Sequence, residues 1–195
     1  MRIGSKSLIY GAHQVLIHPI AIAYAWTKLY GFPLDLRLWC AFLIHDWGYW
    51  GKSNMDGESG ERHPVKGAAI MRLLFGKAWG DFTLLHSRFY ATKLNRQFSR
   101  LAVADKLAST VLPAWLYVPM VCLTGEADEY MHCTSLKEGS KFRSQGVISG
   151  DVRLWYSELQ TYLRGWVEIH KDVNDPLFNR TAVATPENSA AVLCR

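Results

Sequence analysis

Paired cysteines are missing from this chain: Cys40, Cys122, Cys133 and Cys194 stand singly, and no two of them form a C-x-x-C motif. With no secretory leader ahead of them, this scattering predicts reduced thiols and an intracellular, cytoplasmic setting. The opening residues, Met1 to Lys6, lack an apolar stretch of signal-peptide length. Long hydrophobic runs are lacking too. The longest, Val111 to Leu123, contains Pro113 and Pro119 and falls short of the ~20 residues that cross a bilayer, so no membrane partner is expected. Basic residues exceed acidic ones, for a net charge of +5, yet they form no dense run. That balance suits a phosphate-bearing small molecule better than a dedicated nucleic-acid surface. Strand-like alternation, heptads and internal repeats are also absent, which leaves α-helix as the element to trace.

What is present supports one all-α domain. The 195 residues are 49% hydrophobic and 13% aromatic, enough for a sizeable core. Residues 7–30 carry helical spacing through Leu16, Ile20, Ala23 and Leu29, with Pro19 acceptable in a first turn that begins near His18. Gly31-Phe32-Pro33 ends that run, and Asp35 caps a second helix over Leu36 to Asp46, with Cys40 as a small core residue and Gly48 as the stop. Residues 47–62, with four glycines and mixed charges, predict an active-site rim. His63-Pro64 opens a helix that Gly76 closes, and Asp81 caps another through Phe82, Leu85 and Phe89. A further helix spans 97–111. Pro113 and Pro119 then break the apolar segment, and residues 126–150 predict a connector or lid. The last helix runs from Val152 to Ile169, with Leu154, Trp155, Leu159, Leu163 and Trp166 on its apolar side. The domain thus covers 1–173, helical C-terminal extension included, and 174–195 predict a flexible tail.

The chemistry starts where an apolar helix runs into His45-Asp46. Imidazole and carboxylate are costly to bury unpaired, so the pair needs a partner: each other, or a bound divalent cation. The rest of the chain favours the cation. His18 or His13, His45-Asp46, His63, His86 and Asp105 fall on or at the ends of successive predicted helices, each about one helix and one loop from the next. Neighbouring helices of a bundle can each return one ligand to a shared centre. Mixed imidazole and carboxylate donors suit Fe, Mn, Zn, Co or Ni, whereas Ca and Mg prefer oxygen alone. Six donors exceed the needs of one four-coordinate ion and allow two metals per chain if a carboxylate bridges.

The order His … His-Asp … His … His … Asp resembles the HD-domain superfamily of metal-dependent phosphohydrolases over roughly residues 10–110. His45-Asp46-Trp47-Gly48 is similar to that family's "HD-x-G" signature. His63-Pro64-Val65-Lys66-Gly67-Ala68 resembles the "H-P-x-x-G-A" element of its two-metal subgroup, and Val103-Ala104-Asp105-Lys106 resembles the helix bearing its closing aspartate. The resemblance implies an all-helical fold and one metal at His45, Asp46, Asp105 and the first histidine. It implies that Asp46 bridges to a second metal at His63 and His86, and that metal-activated water hydrolyses a phosphate ester, with a nucleotide as the expected substrate. His18 places Ile22-Ala23 as the family's apolar pair, whereas His13 gives the more usual gap to His45. The lysine common three residues after the aspartate is Tyr49 here, which leaves Lys52 as the nearest catalytic or phosphate-binding lysine. Arg88 and Lys106 are further candidates for the substrate, and Trp47, Tyr49 and Trp50 for stacking or packing. A minority of two-metal HD proteins are di-iron oxygenases that cleave C–C or C–P bonds, and a non-enzymatic metal-binding module is the third reading.

Overall fold

The apolar stretch before Gly31 folds as two helices, not one: α1 (Ile3–Tyr10) and α2 (Ile17–Tyr30). Between them the Gln14 side chain accepts the backbone N–H groups of Leu16 and Ile17 at 2.8 and 2.6 Å, which starts α2 one residue before His18. The computed structural model describes residues 1–136 and 142–178, and every regular element among them is helical. Several boundaries follow the local chemistry. Asp35 caps α3 (Leu36–Ile44) through Arg37 N–H at 2.9 Å, and Pro64 opens α4 (Pro64–Phe75). Gly31 and Gly76, at φ 86° and 87°, end α2 and α4 in the left-handed region where a Cβ is costly.

The second half departs from expectation. Asp81 does not cap a helix: α5 is Lys77–Leu84, and Asp81 lies inside it, paired with Arg72, Lys77 and Arg96 at 2.7–2.9 Å. α6 (Arg88–Lys93) and α7 (Arg100–Ala108) follow. Pro119 does not break its segment either, because α8 (Ala114–Thr124) runs through it with the proline on the exposed side. The expected connector or lid, residues 126–150, contains α9 (Glu126–Leu136) and α10 (Gln145–Ser149), the second capped by Ser144, while residues 137–141 lie outside the described residues. α11 (Val152–His170) is capped by Asp151 and buries Trp155, Tyr156, Leu163 and Val167, while Leu154 faces solvent.

Two cores result. In the first, Ile22 and Trp26 of α2 meet Phe42 of α3, Met71 of α4, Phe82 of α5 and Leu101 of α7. Burying each such side chain contributes about 1.5–3 kcal/mol, which outweighs the weak intrinsic stability of helices this short. In the second, Tyr117, Val121 and Ala127 pack against Trp155 and Tyr156. The Tyr156 hydroxyl donates to Ser109 O and Leu112 O at 3.1 and 2.8 Å, fastening α11 to the end of α7. Residues 175–178, expected to open a flexible tail, pack on the helices. Asp175 is buried and accepts from Arg100 N–H at 2.8 Å, and the Phe178 ring lies 5.4 Å from Trp26. Residues 179–195 lie outside the described residues.

Candidate metal centre

The two cores leave a polar pocket between them, and the ends of α2, α3, α4, α5 and α7 point side chains into it. His18 comes from the first turn of α2, His45 and Asp46 from the end of α3, and His63 from the residue before α4. His86 follows α5, and Asp105 projects from α7. All six are buried.

Asp46 is the hub. Its Oδ2 lies 3.0 Å from His45 Nε2 and 3.3 Å from His18 Nε2. Its Oδ1 lies 3.5 Å from His63 Nε2 and 3.4 Å from His86 Nε2. One carboxylate therefore faces two histidine pairs, one with each oxygen. Asp105 Oδ1 lies beside the first group, 3.2 Å from His18 Nε2.

Hydrogen bonds on the far side of the rings fix which nitrogen is free. Nδ1 of His45 donates to Phe42 O at 3.0 Å, that of His63 to Gly60 O at 2.8 Å and that of His86 to Thr83 O at 2.6 Å. A carbonyl only accepts, so each Nδ1 carries a proton and each Nε2, the nitrogen that bears the lone pair when the ring is neutral, is turned inward. His63 Nε2 and His86 Nε2 then face each other 3.0 Å apart. Two lone pairs at that distance repel, but nitrogens sharing a cation at ~2.1 Å fall about 3.0–3.4 Å apart. On the other side, His18 Nε2, His45 Nε2 and Asp46 Oδ2 are buried without an aligned hydrogen-bond partner. Buried polar atoms are almost always satisfied, so this set fits a divalent cation in each group. The groups His18, His45, Asp46 and Asp46, His63, His86 are each compact enough to hold one.

Electrostatics agree for His45 and His63. Burial holds His63 well below and His45 below the ordinary imidazole range, so both are neutral donors near pH 7. His18 behaves differently: burial pulls it down, yet the Asp105 and Asp46 carboxylates overcome that and raise it to about 9. Burial would raise Asp46, but the surrounding imidazoles, His45 foremost, hold it well below the usual carboxylate range. Asp105 is likewise held low against its burial, mainly by Lys106.

Two glycines make the convergence possible. A Cβ on Gly48 would lie 1.8 Å from His63 O, and one on Gly67 would lie 2.5 Å from Ile44 O and 2.9 Å from His45 Cα. Gly48 is thus not a helix stop. It sits in a 3₁₀ turn, Trp47–Tyr49, against which the chain entering α4 passes.

The remaining sequence candidates separate. His13 is outside the two groups, with its Nε2 3.9 Å from Asp46 Oδ2. Its Nδ1 is 2.9 Å from Ser7 Oγ, and Glu126 holds that serine. Lys52 is not brought to the pocket: its backbone pairs with Gly4 of α1 and its Cβ packs there. Arg88 and Lys106 do line the cavity, and Lys106 Nζ is 3.1 Å from Asp105 Oδ2. The Tyr49 ring stacks on His63 at 4.1 Å, whereas Trp47 and Trp50 are exposed. The cavity holds about 570 Å³.

Sequence reasoning missed three contributors. Lys93 lines the cavity. Glu126, fully buried, accepts from Ser7 Oγ, Thr124 Oγ1, Tyr130 OH and Ala12 N at 2.6, 2.6, 3.2 and 3.1 Å. Glu129 pins the rim by accepting Met55 N–H and Asp56 N–H at 2.8 and 2.9 Å. The two acids look like ordinary solvated charges in a first helical turn, so no local signal marks them. Comparison with protein-family models, curated proteins and solved structures found no match to the chain, so the centre rests on its own geometry.

Proposed function

We propose that this chain is a metal-dependent phosphohydrolase of the HD-domain type, acting on a phosphate ester, with nucleotides as the first class to assay. The observation that carries the reading is Asp46, one buried carboxylate turned toward two histidine pairs. His18, His45, Asp46 and Asp105 would hold one cation, and Asp46, His63 and His86 the other. Bound cations of this kind supply Lewis acidity toward phosphoryl oxygens and a lowered pKa for water. The chain's own groups supply the rest. Carbonyl hydrogen bonds at Nδ1 lock the three rings of His45, His63 and His86, so no reorientation is needed when substrate arrives. Lys106, held beside Asp105, offers a fixed positive charge next to the centre, and Arg88 offers a second on the cavity wall.

Elemental analysis paired with phosphate release tests the proposal. We expect two metals per chain, and one or none after His63→Ala or His86→Ala, with phosphate released from an ester in Mn, Fe or Co. Unchanged stoichiometry would make those imidazoles structural. Two irons with oxygen consumption and no phosphate release would move the chemistry to the di-iron oxygenase class. A melting temperature indifferent to metals would leave a helical module without a cofactor.

A further inference from the structure

The cavity beside Asp46 has two unlike parts. One is the charged end just described. The other is walled by Tyr117, Tyr130, Phe142, Trp155, Tyr162 and Leu163, all from the half of the chain that holds no candidate ligand. These side chains are already committed to one another or to the scaffold. Tyr117 stacks on Tyr156 at 4.1 Å, Phe142 lies 5.0 Å from Tyr162, and the Tyr130 hydroxyl donates to Glu126. What they offer a ligand is mainly ring faces and C–H surface, with one polar group, the Trp155 indole N–H, buried without a hydrogen-bond partner among them. Among the described residues lining the cavity there is no Asn or Gln, the amide side chains that can both donate to and accept from the edge of a base. The volume of about 570 Å³ far exceeds a phosphate and falls in the range of sites that enclose a drug-sized molecule.

We propose that the ester's body is apolar and uncharged: an alkyl or aryl phosphomonoester, with its phosphate toward Asp46 and Lys106 and its hydrocarbon against the aromatic wall. The inference takes its reaction from the phosphohydrolase reading, but the binding it foresees stands apart from catalysis. An apolar chain lying on these ring faces leaves water and adds no new hydrogen-bond demand, whereas a base would bring amide and amine edges whose side-chain partners at this end are the Trp155 indole N–H and the hydroxyls of Ser109 and Thr134.

The test uses the full chain and non-hydrolysable n-alkyl phosphonates of two to eight carbons, titrated calorimetrically with and without Mn. Affinity is expected to rise about fourfold per methylene until the cavity is filled. Phe142→Ala and, independently, Tyr162→Ala should flatten that rise while leaving affinity for inorganic phosphate within about twofold. Helical circular dichroism and melting temperature confirm that each variant is folded, and either folded variant suffices. Affinity flat with chain length, or nucleoside monophosphates binding more than about tenfold tighter than octyl phosphonate, would overturn the proposal. Phosphate release from the matching alkyl esters is scored separately. Length-dependent binding without release removes the hydrolase reading and leaves the apolar pocket standing. Release without length dependence does the reverse.

Discussion

Glu126 shows how a single residue can organise a site it does not enter. It is fully buried and satisfies four donors from α1, the turn after it, α8 and α9. Glu126→Ala would strand those donors in the interior, at a cost of about 3–5 kcal/mol, read as a lower urea midpoint. Glu126→Gln keeps an acceptor and should lose less. The titratable ligands give a second outcome. His63 and His45 are held below 6.5, so below that pH the unfolded chain binds more protons and metal-free stability falls. His18 is raised from 6.5 to about 9, so its contribution is complete below 6.5 and disappears as pH climbs to about 9. Urea unfolding in chelator from pH 5 to 9 should therefore peak near 6.5, and added metal should abolish the alkaline decline by displacing the His18 proton. Of these residues the sequence exposed the six candidate ligands, because imidazole and carboxylate at the ends of apolar helices are conspicuous. It hid Glu126, whose contacts come from distant segments, and Lys93, which reads as an ordinary basic residue at the end of a short helix.

At the scale of elements, glycines that look alike in sequence have opposite physics. Gly67 and Gly165 both interrupt helices, where replacement by alanine should add about 1 kcal/mol from propensity alone. Around Gly165 nothing lies within 4 Å of the new methyl, so Gly165→Ala should raise the melting temperature. At Gly67 the methyl meets Ile44 O at 2.5 Å, and overpacking of ~1–3 kcal/mol reverses the sign. Gly67→Ala should lower both melting temperature and metal content, because α3 carries His45 and Asp46 at its end. Helices with strong punctuation were legible before any coordinates: α3 from Asp35, α4 from Pro64 and Gly76, α11 from its apolar spacing. Asp81 misled because an acid ahead of Phe82 mimics a cap, while its true partners, Arg72 and Arg96, come from flanking segments. Pro119 misled because a proline on a helix's exposed side can be accommodated, and α9 because its acidic start resembles a loop.

For the whole molecule, the centre links five helices, so filling it should stabilise the fold cooperatively. A site saturated a hundredfold above its Kd adds about 2.7 kcal/mol, or roughly 5–10 °C in a chain of this size. Two sites sharing Asp46 should exceed that, and a differential scan with and without chelator measures it. The all-α architecture was readable from the missing strand pattern. The second core was not, since Tyr117, Trp155 and Tyr156 meet only after α11 folds back on α7 and α8. That arrangement has a consequence for how such a protein can change. Every metal-ligand candidate is encoded before residue 106, and the wall built by Tyr117, Trp155 and Leu163 after residue 116. On the proposed function, reactivity and molecular preference would sit in separate stretches of the gene, so that drift in the later stretch would retune what is accepted while the earlier one kept the same chemistry.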